Sequence, residues 1–172
     1  MAERLGDDGA AEHWFREGLE HAPRDLYLRN AYADLLLRRG RTDDVLRLLA
    51  GQPAMEPVLL RRILAESSAS GGAVEEDRQL LSEAFTLEAE RGDPVHRREQ
   101  ARFLLDVEHR AAEALAAARA NWAVQREPAD ALILLRAARA VRRVDAAQPV
   151  LQFLQETGLQ DARLTPYLAS AR

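Results

Sequence analysis

Four of the seven prolines in this chain recur at nearly even intervals. Pro23, Pro57, Pro94 and Pro128 stand 34, 37 and 34 residues apart. A proline inside a helix removes a backbone donor and clashes with the preceding turn, so each one marks a boundary. The stretch between two of them holds two helices and a turn, and is too short to bury a core by itself. Two of the prolines sit in similar frames, Ala22-Pro23-Arg24-Asp25 and Glu127-Pro128-Ala129-Asp130. In each, an Asp two residues later precedes an apolar run, which predicts Asp25 and Asp130 as helix N-caps. Asp93-Pro94 reads as N-cap followed by N1. Further breaks fall midway, at Gly40-Arg41-Thr42, at Gly71-Gly72 and before Asp145. Thr42 and Asp145 are expected caps there, and Asp43 and Asp44 suit the positive end of a helix.

Between these marks apolar residues recur at three and four, not at two. Leu28, Tyr32, Leu35 and Leu36 form one stripe, and Leu59, Leu60, Ile63 and Leu64 another. Leu80, Leu81, Ala84 and Phe85 continue it, followed by Phe103, Leu104 and Val107, then Leu132, Leu135 and Val141. The pattern predicts helices over 10–22, 26–39, 43–51, 57–69, 74–91, 94–108, 111–126, 130–142, 146–157 and 161–169, and no sheet. Composition agrees: Ala and Leu dominate and aromatics are 5%. The expected class is all-α.

Ala11, Phe15 and Pro23, with Gly18 between them, fit the second-helix pattern of the tetratricopeptide repeat, Ala-x3-Phe followed eight residues later by Pro. Val45, Leu49 and Pro57 repeat it one period on. Ala116, Ala120 and Pro128 keep the spacing with smaller side chains, and Val150 and Leu154 keep it in the last unit. Arg29, Tyr32, Ala33 and Leu36, and Leu134, Ala137, Ala138 and Val141, take the first-helix positions in much altered form. The chain thus resembles a tetratricopeptide-repeat protein over nearly its whole length, and its general look is similar to repeat proteins of high-GC bacteria. The resemblance implies a right-handed α-α superhelix forming one solenoid domain over 1–172. Its parts would be a partial repeat at 1–25, repeats at about 26–59, 60–96, 97–130 and 131–160, and a capping helix at about 161–169. The register places the segment as the C-terminal part of a longer array. Trp14, Phe15 and Leu19 would then form an uncapped face suited to homodimerisation, and Trp14 and Trp122 would pack in the core or between repeats.

Several chemistries are excluded by residue type. There is no Cys, so disulfides, thiol nucleophiles and Cys-ligated metals are out. All 24 basic residues are Arg, which removes Schiff-base and P-loop lysine chemistry. The net charge of −4 argues against nucleic acid or an anionic membrane as partner. No apolar stretch is long enough to insert in a membrane, and the N-terminus lacks the apolar region of a signal peptide. The compartment, cytoplasmic or periplasmic, is left open. His13, Glu17 and His21 share one helix face at i, i+4, i+8, but have no fourth ligand. His96 with Glu99 and His109 with Glu113 read as surface pairs. Ser67, Ser68 and Ser70 beside Gly71-Gly72 read as a turn, because a nucleophile elbow needs Gly-x-Ser-x-Gly and partners. The expectation is a protein without catalytic residues, cofactor or metal.

The arginines are the candidate contacts. On the resemblance, first helices line the concave surface. Arg61 and Arg98, and Arg102 and Arg136, then hold equivalent positions in successive units. Arg98 and Arg102, and Arg139 and Arg143, are i, i+4. Together Arg61, Arg98, Arg102, Arg136, Arg139 and Arg143 would form a basic ladder able to take the carboxylates of an acidic peptide or of a C-terminus. Some members of that family clamp a terminal carboxylate with basic residues at the positions of Arg98 and Arg102. Tyr27, Asn30 and Asp34 would share the inner face. The competing expectation pairs these arginines within their helices, Arg62 with Glu66 and Arg102 with Asp106. The function expected is a scaffold binding a peptide or partner helix, with assembly or oligomerisation of a larger, possibly exported, protein as the alternative.

Overall fold

Helix boundaries follow the punctuation closely. The computed structural model describes residues 1–66, 72–92 and 96–168. Its α-helices are α1 (Asp8–His21), α2 (Leu26–Arg38), α3 (Thr42–Leu49), α4 (Glu56–Glu66), α5 (Gly72–Arg91), α6 (Arg97–Asp106), α7 (Ala111–Val124), α8 (Pro128–Ala140), α9 (Gln148–Thr157) and α10 (Thr165–Leu168). Short 3-10 turns occupy Ala2–Leu5 and Val144–Ala147. No strand occurs among the described residues. The expected turn at Ser67–Gly71 and the expected cap at Asp93-Pro94 lie outside the described residues.

Asp25 caps α2 as expected, its carboxylate accepting from the Leu28 amide at 2.9 Å. Three other expected caps are corrected. Asp130 is not the N-cap of α8 but its third residue. The helix starts at Pro128, and the Asp130 carboxylate reaches back to the Glu127 amide at 2.8 Å. Pro128 already has a helical φ and no amide to satisfy, so it opens the helix two residues early. Thr42 lies inside α3, whose N-cap is Arg41, with no side-chain capping bond. Asp145 lies inside a 3-10 turn and takes the Arg143 guanidinium at 2.6 Å. The last helix is also shorter than expected. Asp161 folds its carboxylate onto the Arg163 amide and guanidinium, making a turn, and helix resumes only at Thr165-Pro166.

Three helix-to-helix turns share a left-handed residue followed by an arginine. Gly40, His109 and Arg142 stand in the left-handed region, at φ 69°, 56° and 56°. Each precedes an arginine that caps the next helix or 3-10 turn: Arg41, Arg110 and Arg143. The amides of these arginines donate back to carbonyls of the preceding helix, Leu36 at 2.9 Å, Leu104 at 2.8 Å and Ala138 at 2.9 Å. Their guanidinium groups pair with a carboxylate in the following turn: Asp44 at 2.5 Å, Glu113 at 2.5 Å and Asp145 at 2.6 Å. An L side chain in the left-handed region costs about 1–2 kcal/mol, so His109 and Arg142 hold that conformation against a local cost.

The chain divides into two compact units. One runs Asp8–His96. There α1 meets α2 through a Phe15–Tyr32 stack at 5.6 Å, α2 and α3 form a hairpin, α4 packs on both, and α5 packs on α4. Leu35, Leu36, Val45, Leu49, Val58, Leu60, Ile63 and Leu81 fill its core. Each such leucine contributes about 1.5–3 kcal/mol on burial. Glu12 gathers charge at the edge of this unit. It takes Arg41 at 2.8 Å, Arg16 at 2.6 Å and the Tyr32 hydroxyl at 3.0 Å. The Arg41 hydrogen bond holds the Glu12 carboxyl below its usual range, against the opposing effect of burial. A lowered pKa means stabilisation that is present at neutral pH and is lost as pH falls through that lowered value. Glu12→Gln should therefore flatten the acid limb. Between pH 7 and pH 3, urea unfolding should show a smaller loss of stability in the variant than in the wild type.

The other unit comprises Met1–Asp7 and the chain from Arg97 onward. Here α6, α7 and α8 pack in sequence, and α9 and α10 close on α8. Ala101, Ala118, Leu134, Val150 and Leu164 are fully buried, and Trp122 meets Phe153 edge-on at 5.3 Å. The N-terminal segment is tied to the far end of the chain: the Ala162 amide donates to the Arg4 carbonyl at 2.8 Å, and Arg163 pairs with Glu3 at 3.3 Å.

Candidate functional site: an arginine-rimmed pocket

Three of the six candidate arginines, Arg61, Arg98 and Arg136, take carboxylates from a different element. Arg61, on α4, is buried and donates to the Asn30 carbonyl at 3.1 Å, the Pro57 carbonyl at 2.7 Å and the Asp34 carboxylate at 2.5 Å. Arg98, on α6, spans to Glu127 at 2.8 Å and to the buried Asp130 at 3.3 Å. Arg136, on α8, makes a two-pronged pair with Asp106 of α6, at 2.6 and 3.1 Å. Arg102 approaches the same Asp106 at 3.7 Å, the i, i+4 pair read from the sequence. Arg62 does not take Glu66. It reaches Asp77 on α5 at 2.9 Å, because the hairpin brings that carboxylate over it. Of the residues expected on an inner face, Tyr27 is 74% exposed, Asp34 is committed to Arg61, and Asn30 Oδ1 is buried without a hydrogen-bond partner among the described residues.

Arg139 and Arg143 meet differently, around a cavity at the α8 turn. Its volume is about 230 Å³. Leu135, Ala138 and Ala147, all buried, form the apolar floor; Val144 and Tyr167 add wall, and Arg139, Arg142 and Arg143 form the rim. The Arg139 guanidinium stands over the Tyr167 ring, 5.6 Å from its centre. That contact positions the charge and leaves its donors open. Arg143 is neutralised by Asp145. Among the described residues no carboxylate lies within ion-pairing distance of Arg139 or Arg142. The left-handed backbone at Arg142 sets its side chain on this rim. The pocket therefore pairs an apolar seat with two uncompensated cations. A ligand with an apolar body and one carboxylate satisfies both.

Sequence reasoning named Arg139 and Arg143 and missed Arg142 and Tyr167. The Arg142-Arg143 doublet after the last apolar position of α8 was the available signal. Tyr167 carried none, since it arrives from 25 residues downstream of Arg142.

The expected core position of Trp14 is corrected: it is 60% exposed, beside His13 at 5.3 Å. Ala11 and Phe15 take the face of α1 that meets α2, which leaves Trp14 on the flank. Trp122 is buried, as expected. His13 pairs with Glu17 at 3.7 Å, but the donors of His13, Glu17 and His21 do not converge. His96 bonds Glu88 at 2.8 Å instead of Glu99, and Glu113 takes Arg110 while His109 forms the turn.

Comparison with family models, with curated proteins and with solved structures found no match.

Proposed function

We propose that this protein is a non-enzymatic interaction scaffold, built as a tetratricopeptide-like right-handed superhelix, that docks a peptide by its C-terminal carboxylate. The observation that carries this reading is the pocket at the end of α8. Its apolar floor and its two guanidinium groups without a carboxylate partner among the described residues, Arg139 and Arg142, match an apolar last side chain and a free carboxylate. The turns at Gly40 and Arg142 support the repeat, because a left-handed residue and an amide returning to a carbonyl five residues back recur at two of the breaks read from the sequence, and a related turn with a six-residue return stands at His109. Preorganised helices hold the contacts in place, so little conformational entropy is lost by the protein on binding.

The test is charge reversal. Peptides selected from a C-terminal library on the wild-type chain should bind Arg139→Glu/Arg142→Glu about 100-fold more weakly, the scale of two charge-assisted hydrogen bonds at ~1.5 kcal/mol each. Both residues are exposed, so the fold should persist, as checked by circular dichroism. Unchanged affinity in the folded variant rejects the reading.

A second reading, assembly through a homodimer, is favoured by exposed Trp14 near Phe15 and Leu19. It requires a dimer mass by light scattering that Trp14→Glu returns to monomer. A monomer mass at all concentrations rejects it.

A further inference from the structure

We infer that Glu56, Glu88 and His96 form a binding site for a first-row divalent cation such as Zn²⁺. The three residues come from separate places in the Asp8–His96 unit: the first residue of α4, the last turn of α5, and the residue just before α6. Each offers one donor atom, and the three donors lie within 4.8 Å of one another. His96 Nδ1 stands 2.8 Å from Glu88 Oε1 and 3.8 Å from Glu56 Oε2. A cation with bonds of about 2.0–2.2 Å to N and O spans donors at such separations with small side-chain shifts.

Charge makes the second argument. Several part-buried carboxylates elsewhere among the described residues are matched by guanidinium groups: Glu12 by Arg41, Asp34 by Arg61, Asp77 by Arg62 and Asp106 by Arg136. Glu56 and Glu88 are comparably sheltered, with side chains 23% and 17% exposed. Among the described residues neither has an arginine partner, and both face the one imidazole. Two carboxylates converging on one imidazole leave negative charge at the cluster whether or not His96 is protonated. A divalent cation removes that excess and uses the imidazole as a neutral ligand. One nitrogen and two oxygens suit Zn²⁺, Co²⁺ or Mn²⁺, and the general order of affinity places Mn²⁺ below Co²⁺ at such a site. The site is independent of the arginine-rimmed pocket, so it stands or falls without the peptide reading.

The test uses the full chain freed of metal with a chelator. Titration calorimetry with Zn²⁺ should show one equivalent bound, and Co²⁺ should give a visible absorption band that Zn²⁺ abolishes. Glu88→Gln and His96→Ala should each weaken Zn²⁺ binding about tenfold or more, the scale on which even supporting groups affect a metal site. His13→Ala should leave it unchanged. Glu88→Gln keeps the shape of the side chain and serves if His96→Ala does not fold. No Zn²⁺ binding by the wild type, or equal binding by folded Glu88→Gln, overturns the assignment.

Discussion

Asp130→Ala is expected to destabilise the protein by about 3–5 kcal/mol, the cost of removing one partner from a buried ion pair. Asp130 is 1% exposed and joins three elements. Its carboxylate accepts from the Glu127 amide at 2.8 Å, from Asn121 Nδ2 on α7 at 2.8 Å, and from Arg98 on α6 at 3.3 Å. Burial pushes the Asp130 carboxyl up, and the Glu127 amide, the Arg98 charge and the Asn121 amide oppose that. The carboxylate is thus held in surroundings that disfavour it, and its three donors depend on it in turn. Truncation leaves the buried Asn121 amide unpaired, frees a helix-end amide and strips Arg98 of one partner. Asp130→Asn should recover only part of the loss, since the amide keeps one acceptor oxygen while its NH2 faces a donor where the second carboxylate oxygen stood. Urea unfolding of both variants checks this. A loss below about 1 kcal/mol for the alanine variant would show that the network is not what ties α6, α7 and α8 together.

Arg61→Ala is expected to cost about 2–3 kcal/mol, because it deprives two carbonyls and a carboxylate of their donor at once. Asn30 and Asp34 belong to α2, while Arg61 and Pro57 belong to α4, so the guanidinium is the polar link between those helices. Arg61→Lys should recover only part of the loss. A single ammonium cannot reach three acceptors that a planar fork reaches together. Thermal unfolding that ranks wild type above Lys and Lys above Ala is the predicted order. Equal stability of all three would mean that water replaces Arg61 freely.

These two residues also show what a sequence conveys and what it does not. Helix positions were legible because Pro, Gly and Asp act within a few residues of themselves: α2 begins where Asp25 predicts it, and the chain turns after α2 at Gly40, at φ 69°. The caps that shifted, at Asp130 and Asp145, are cases where two nearby groups compete for one helix end. The partners of the arginines were not legible. Arg61 meets Asp34, 27 residues away, and Arg136 meets Asp106, 30 away, so each pair exists only after the hairpins stack. Spacing within one helix pointed instead to Arg62 with Glu66, which the packing replaces by Arg62 with Asp77. The pocket was half legible. Arg139 and Arg143 stand in the sequence at helical spacing, but only the chain reversal at Arg142 and the return of Tyr167 make an apolar seat beside them. Glu56, Glu88 and His96 gave no local signal at all, because three elements supply one residue each.

Docking of a terminal carboxylate is most directly measured with one peptide in two chemical forms. A peptide with an apolar last residue, labelled at its N-terminus, is titrated against the full chain with its C-terminus free and again with it amidated. The account predicts that the free acid binds at least about tenfold more tightly, a charge-assisted hydrogen bond being worth ~1.5 kcal/mol or more, and that the difference disappears in Arg139→Glu/Arg142→Glu. Equal affinity of acid and amide for the wild-type chain would contradict it.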